Sequence, residues 1–192
     1  MSTPGQPAGS RVLKMREVLA NQLTRLRLET PADLDGIRQV HIEAFGRPAE
    51  AALVDALRKQ GQITVSLVAE VQQEVVGNVI LSPVTIMPTV PGLKMLGLGP
   101  VAVRPGSQLN GIGSKLIGQG IDVARLLDFQ AVVVLGSPDY CGRFGFIPAS
   151  RYGLRCEFDA PVGWFMVIEL HPGSLSGWWN GVVRYQPEFW KL

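Results

Sequence analysis

The run Ala131-Val132-Val133-Val134-Leu135 contains no polar residue and is mostly β-branched. It is too short for a self-sufficient helix and does not alternate, so it reads as a strand buried on both faces. Such a strand needs a sheet with material packed on either side, which points to a layered α/β arrangement. The composition can supply that cover, with 46% hydrophobic and 18% charged residues. Gly 22 and Pro 14 among 192 residues stay below the roughly 25–30% that marks low-complexity chains.

The flanking patterns fill in the layers. Residues 24–29 alternate like a half-buried strand, and Thr30-Pro31 with Asp33 opens a helix whose core face is Leu34, Ile37, Val40 (or His41) and Ala44. A second helix spans about Pro48 to Lys59, burying Ala52, Leu53, Ala56 and Leu57 and ending at Gly61. Two β-branched strands, about 63–71 and 74–86, meet at Gln72-Gln73, with Gly77 and Pro83 marking bent or interrupted pairing. A strand over 94–103 follows, then a Gly-rich loop and a helical period over 111–127, with Gly118 and Gly120 facing the sheet. A short helix over 138–144 and a strand near 164–170 come after the apolar run. The fold class expected is α/β, a central mixed (α+β) sheet flanked by helices. Residues 23–192 form one domain behind an N-terminal extension, 1–22.

Charge narrows the function. Five cations against Glu17 make residues 1–28 net positive, and the remainder carries a small acidic excess; the whole is only +2. That excludes bulk electrostatic binding of nucleic acid. Cys141 and Cys156 are too few for a disulfide framework and lack metal-ligand spacing, so neither metal nor oxidising compartment is expected. No run reaches the roughly 18 apolar residues of a membrane span, and the setting expected is cytoplasmic. Residues 11–24 read as a loosely docked extension, the alternative being a membrane-touching or transit segment.

The segment that carries chemistry is Val101-Ala102-Val103, a strand end, followed by Gln108-Leu109-Asn110-Gly111-Ile112-Gly113-Ser114 at the start of a helix. Unpaired backbone N–H groups and the positive end of a helix dipole make such a turn a phosphate site. A Walker loop would need Lys-Ser/Thr where Ile112-Gly113 stands, and a dinucleotide fingerprint would need a third Gly.

The remaining pattern, Gln-x-x-Gly-x-Gly at Gln108 to Gly113 between strand and helix, resembles that of GNAT-superfamily N-acetyltransferases. Tyr140-Cys141-Gly142-Arg143-Phe144-Gly145-Phe146 resembles the family's second motif, Tyr-Tyr-x-x-x-Gly-Phe, and the tail from Glu169 is similar to that of the bacterial YhbS-like branch. The resemblance covers about residues 24–189. It implies a GNAT-type fold with acetyl-CoA as co-substrate, pantetheine contacts at Val101, Ala102 and Val103, and pyrophosphate contacts at Gln108, Leu109, Asn110, Gly111, Ile112, Gly113 and Ser114. It also implies direct attack of an amine, on a small molecule or a peptide, upon the thioester; a homodimer is the assembly expected.

Two departures matter. Leu109 and Asn110 stand where many members carry Gly and a basic residue, and Cys141 stands at the second tyrosine, often the acid for the leaving thiolate. Tyr140 is then the candidate acid, near the cofactor. Pro100 lacks an N–H and fits a strand that splays to admit the cofactor arm. Glu70, Asp139, His41 and Glu43 are each open as a base or as surface groups. Trp178, Trp179, Tyr185, Phe189 and Trp190 pin the C-terminal segment in an irregular wrap or wall an acceptor pocket. The alternative function is a CoA- or acyl-CoA-binding module without efficient catalysis.

Overall fold

The computed structural model describes residues 24–177 and 180–192, so the N-terminal extension and Trp178-Trp179 lie outside the described residues. Its sheet runs β1 (Arg25–Leu28), β2 (Val65–Val71), β3 (Glu74–Met87), β4 (Met95–Val103), β5 (Ala131–Leu135), β8 (Phe165–Glu169) and β6 (Ile147–Pro148). The pairs are antiparallel except β4 with β5. β9 (Gly181–Arg184) pairs antiparallel with the end of β3 and parallel with β7 (Leu154–Cys156).

Helices α1 (Leu34–Phe45) and α2 (Ala49–Lys59) cover one face, and α3 (Ile112–Leu126) covers the other. β5 shows why both covers are needed. Val132 and Val134 lie in the cluster under α3, while Ala131 and Val133 lie in one with Leu154, Leu175 and Val183. Across the sheet, Val79 and Leu81 face α3 while Ile80 packs with Ile37, Val54 and Leu57. Gly120 lets α3 approach, since a Cβ there would meet Leu81 Cδ1 at 3.0 Å; a Cβ on Gly118 would meet nothing, so that glycine does not serve the packing expected of it.

The β2–β3 hairpin turns at Gln72-Gln73, both at positive φ (51° and 68°), as a type I′ turn demands. Pro83 stands where β3 changes partner: its pairing with β2 ends at Leu81 and that with β9 begins at Thr85. There Gln186 Nε2 donates to the Pro83 carbonyl at 2.7 Å. β6, β7 and β9 are too short to show a period in sequence. The tail is therefore a strand followed by a 3₁₀ turn at Pro187–Lys191, more regular than the expected wrap. α2 is also rotated from expectation: Glu50, Ala51, Leu53, Val54 and Leu57 are buried, and Ala52 is exposed.

Polar groups lock the α1–α2 side. Arg27 on β1 donates to both Asp33 oxygens (2.6 and 2.8 Å) and through Nε to Glu70 (2.9 Å). Asp33 also accepts from the Thr30 backbone N–H at 2.7 Å. His41, fully buried, donates from Nε2 to Asn78 Oδ1 at 2.9 Å, and Asn78 donates to Ser66 Oγ and the Leu67 carbonyl. Ser66 donates to Glu29, which Arg58 also holds. These bonds repay the burial of otherwise costly groups.

Burial holds His41 below its ordinary 6.5, and the Arg27 guanidinium holds the Asp33 carboxyl well below its ordinary 3.8. Both groups therefore stabilise the fold fully above their unfolded-state values and lose that contribution as acid is added. Unfolding free energies from urea titrations should be flat between about pH 7 and 8. They should fall below about 6.5 as unfolded chains take up the His41 proton, by at most about 1.4 kcal/mol per pH unit. A further fall below about 4 should follow as unfolded chains take up the Asp33 proton. His41→Gln should flatten the first limb and leave the second.

Candidate functional site

The parallel pair β4 and β5 is in register only over Met95–Leu98 against Ala131–Val134. Beyond Leu98 the two strands part. Against β3 the register moves from Leu81↔Leu98 to Val79↔Val101, so Gly99 and Pro100 together oppose Ile80 in a bulge. Gly99 at φ 140° and Pro100 without an N–H both suit a break in a ladder. The splaying expected from Pro100 is thus present, one residue after the last shared pair.

The parting opens a cavity of about 770 Å³. Leu98 to Val101 and Val134 to Ser137 line it, with Cys141, Phe144 and Phe146. Phe45, Glu50 and Leu53 from α1 and α2 also line it, with Phe158, Tyr185, Phe189 and Trp190 from the C-terminal part of the chain. The Tyr185 ring fits because Gly97 has no side chain: a Cβ there would lie 2.6 Å from Tyr185 Cε1. Of the aromatic tail, Tyr185, Phe189 and Trp190 wall the cavity, and the 3₁₀ turn packs on α2.

A second cavity, about 460 Å³, adjoins at the start of α3, lined by Val101, Val103, Ser107 to Leu109, Gly111 to Ser114, Tyr140 and Arg143. Gly111, at φ 75°, is the helix N-cap and supplies no side-chain cap. The N–H groups of the first turn of this 15-residue helix therefore face the cavity without a capping side chain. Gln108 Nε2 donates to the Val103 carbonyl at 2.9 Å and ties the loop to the strand. The exposed Leu109 is held at φ 63°.

Most of the sequence-selected residues come together. Val101 and Tyr140 line both cavities, and Val103, Gln108, Leu109, Gly111, Ile112, Gly113 and Ser114 line the second. Two do not present side chains to it. Ala102, 1% exposed, packs in the cluster with Ile37 and Ile80. Asn110 bonds back to the Ser107 carbonyl. The base candidates are elsewhere: His41 is bound to Asn78, Glu70 to Arg27, and Glu43 to Arg104, while none of these three nor Asp139 lines either cavity.

Tyr140 reaches over the first turn of α3, its hydroxyl 3.2 Å from where a Gly113 Cβ would be. Its ring meets Phe144 edge-on, and the Arg143 guanidinium lies 5.3 Å from its centroid. Arg143 Nη2 is 3.5 Å from Ser114 Oγ. Cys141 is buried and lines the large cavity, and burial pushes its thiol up, so it stays protonated at neutral pH. Two site residues escaped the sequence. Arg143 brings to the loop the cation that Leu109 and Asn110 do not supply. Glu50, 4% exposed, heads the apolar stripe Leu53-Val54-Leu57, a pattern that could have placed position 50 on the inner face. Arg47 holds it through Nε at 3.1 and 3.2 Å. Among the described residues, no group of three His, Cys, Asp or Glu could hold a metal, and no helix is long and apolar enough to cross a membrane.

Comparisons with known proteins agree with this geometry. Residues 34–146 match the model of the acetyltransferase (GNAT) family. The chain is 34% identical over 165 residues to the Escherichia coli (strain K12) "Uncharacterized N-acetyltransferase YhbS", covering 85% of this chain and 97% of that one. It is 36% identical over 154 residues to the same organism's "Uncharacterized N-acetyltransferase YjhQ", covering 76% and 85%. The crystal structure of E. coli YhbS in complex with CoA superposes with a TM-score of 0.82 over 86% of this chain and 91% of that one, at 34% identity. A Brucella melitensis GNAT family acetyltransferase in complex with acetyl-CoA gives 0.71 over 86% and 97%, also at 34%.

The contact between Gly97 and Tyr185 makes a local prediction. Gly97→Ala should destabilise the fold by about 1–3 kcal/mol in urea titrations, because an added methyl displaces a packed ring rather than filling space.

Proposed function

The chain belongs to the acetyltransferase (GNAT) family, and from that premise we propose that it transfers an acetyl group from acetyl-CoA to the primary amine of a small molecule or peptide. The observation that carries this reading is the continuity of two features: an uncapped helix start beside the parted ends of β4 and β5. One accepts phosphate oxygens; the other exposes strand backbone to an extended arm.

In this reading the pyrophosphate lies against the amides of Gly111 to Ser114, helped by Arg143, with Gln108, Leu109 and Asn110 shaping the loop. The pantetheine arm follows Val101 to Val103, and Ala102 contributes backbone only. The thioester then enters the large cavity past Pro100. A neutral amine attacks the carbonyl carbon, forming the C–N bond; the oxyanion draws on backbone N–H groups of the β4 end; the C–S bond breaks, and the thiolate takes up a proton. The amine gives up one proton and the sulfur gains one, so the exchange balances. Tyr140 is the proposed donor, its hydroxyl borne by a ring that lines both cavities. The cytoplasm as setting and a homodimer as assembly belong to the same proposal.

The buried Cys141 thiol at the position of the second tyrosine favours one other reading, a CoA-binding module without efficient turnover. The two separate in one measurement. Free thiol should be released steadily from acetyl-CoA only when an amine is added; CoA binding without release across a broad amine panel would leave the binding module.

Two variants test the assignments. Tyr140→Phe keeps the ring that supports Arg143, so it should lower kcat by about 10²-fold and leave the calorimetric Kd for CoA within about two-fold. Unchanged kcat would end its role as acid. Arg143→Gln should do the converse, weakening CoA by about 3–10-fold for one partly exposed charge-assisted contact, with the loss shrinking in high salt.

A further inference from the structure

Beyond acetyl transfer itself, we propose that the large cavity selects an amine carried on a compact aromatic or branched apolar body, with Glu50 drawing in its ammonium group before the neutral amine attacks. This rests on the acetyltransferase reading and adds the class of acceptor.

Two independent features support it. The first is the wall. Phe158 and Trp190 meet at 4.7 Å between ring centroids, Tyr185 and Phe189 at 5.1 Å, and Phe158 and Tyr185 at 5.6 Å. The aromatic wall continues to solvent at its rim, where Trp190 is 62% and Phe45 41% exposed. Large apolar side chains left open around a concavity mark a place where a ligand supplies the missing contact.

The second is charge. Glu50 is the one carboxylate side chain among the described residues lining this cavity, and none of those residues is Lys, Arg or His. It is nearly inaccessible, and its side-chain partner Arg47 is mostly exposed, gripping it from the outer side. A carboxylate accepts at about four lone-pair positions, so Arg47 leaves capacity toward the cavity. Arg47 already pairs with this carboxylate, so an ammonium in the cavity would share it, and the surrounding π faces favour the same ligand. Polyamines and amino sugars would bury further polar groups in a mostly apolar lining, where the Tyr185, Tyr140 and Ser137 hydroxyls are few partners for them. A single ammonium on an apolar body satisfies both features.

The test compares phenethylamine and tryptamine with ethanolamine and spermidine, reading thiol release from acetyl-CoA. In parallel, calorimetry follows phenethylamine binding to the CoA-loaded protein. The aromatic amines should exceed the others by at least about ten-fold in kcat/KM, the discrimination one desolvated hydrophobic contact provides. Glu50→Gln should raise both Kd and KM for phenethylamine by about ten-fold or more while leaving the Kd for CoA unchanged. Trp190→Ala, at an exposed rim position, should do likewise, with at most a small fall in melting temperature from the lost Phe158 contact. Equal or better use of ethanolamine or spermidine, no binding of an aromatic amine, or an unchanged amine Kd in both variants would overturn the acceptor class and leave acetyl transfer standing. Failure of the unmodified protein to bind CoA would instead overturn the acetyltransferase reading.

Discussion

β4 and β5 can share a ladder for only four residues. Their common stretch is apolar and regular, and it ends where Gly99 and Pro100 force two residues of β4 opposite one of β3. Beyond that point β4 stays bound to β3 while β5 runs into the turn leading to Tyr140. A sheet that split without covers would expose its core. Here α3 closes one face, α1 and α2 the other, and the tail roofs the gap. The cavity follows from the break in pairing, and the elements around it serve to keep that break from becoming a fault.

The covers are positioned by unequal means. α3 is held by shape, with Leu116, Ile117 and Ile121 in the core cluster and Gly120 at closest approach. The α1–α2 pair is held additionally by buried polar bonds from His41 to Asn78 and onward to Ser66 and Glu29. Such bonds have direction, and a one-residue slip of α1 would leave His41 and Asn78 unsatisfied at a cost of roughly 1–3 kcal/mol each. Phe45 and Glu50 sit on either side of the turn joining these helices. The polar bonding therefore fixes where the rim of the cavity stands, although none of its members touches the cavity.

What was legible in sequence was whatever carried a period or a backbone requirement. The unbroken run at Ala131, the Gln72-Gln73 turn, the break in pairing at Pro100 and the glycines opening α3 each announced a conformation that one residue type could not conceal. Less legible were elements with no room for a period, such as β7 and β9, whose pairing depends on β3 changing partner beyond Pro83. Side-chain convergence was harder still. Arg143 lies 29 residues from Ser114, and only folding shows that it stands in for a cation at the loop. Position 50 was different: the stripe Leu53, Val54 and Leu57 carries a period that includes it, but the face read as Ala52, Leu53, Ala56 and Leu57 passed it over.

The two unforeseen residues divide the site electrostatically. Arg143 lines the cavity at the start of α3, and Glu50 lines the larger one, whose other lining side chains carry no charge. Unlike charges in the two cavities favour different partners. A phosphate directed toward Glu50 meets repulsion and loses the helix amides; an ammonium directed toward Arg143 meets repulsion and loses the aromatic wall. Each partner is thus disfavoured in the other's cavity. The rest of the large cavity, where a thioester and an amine would meet, carries no side-chain charge of its own, so a neutral amine is the form that can enter it at least cost.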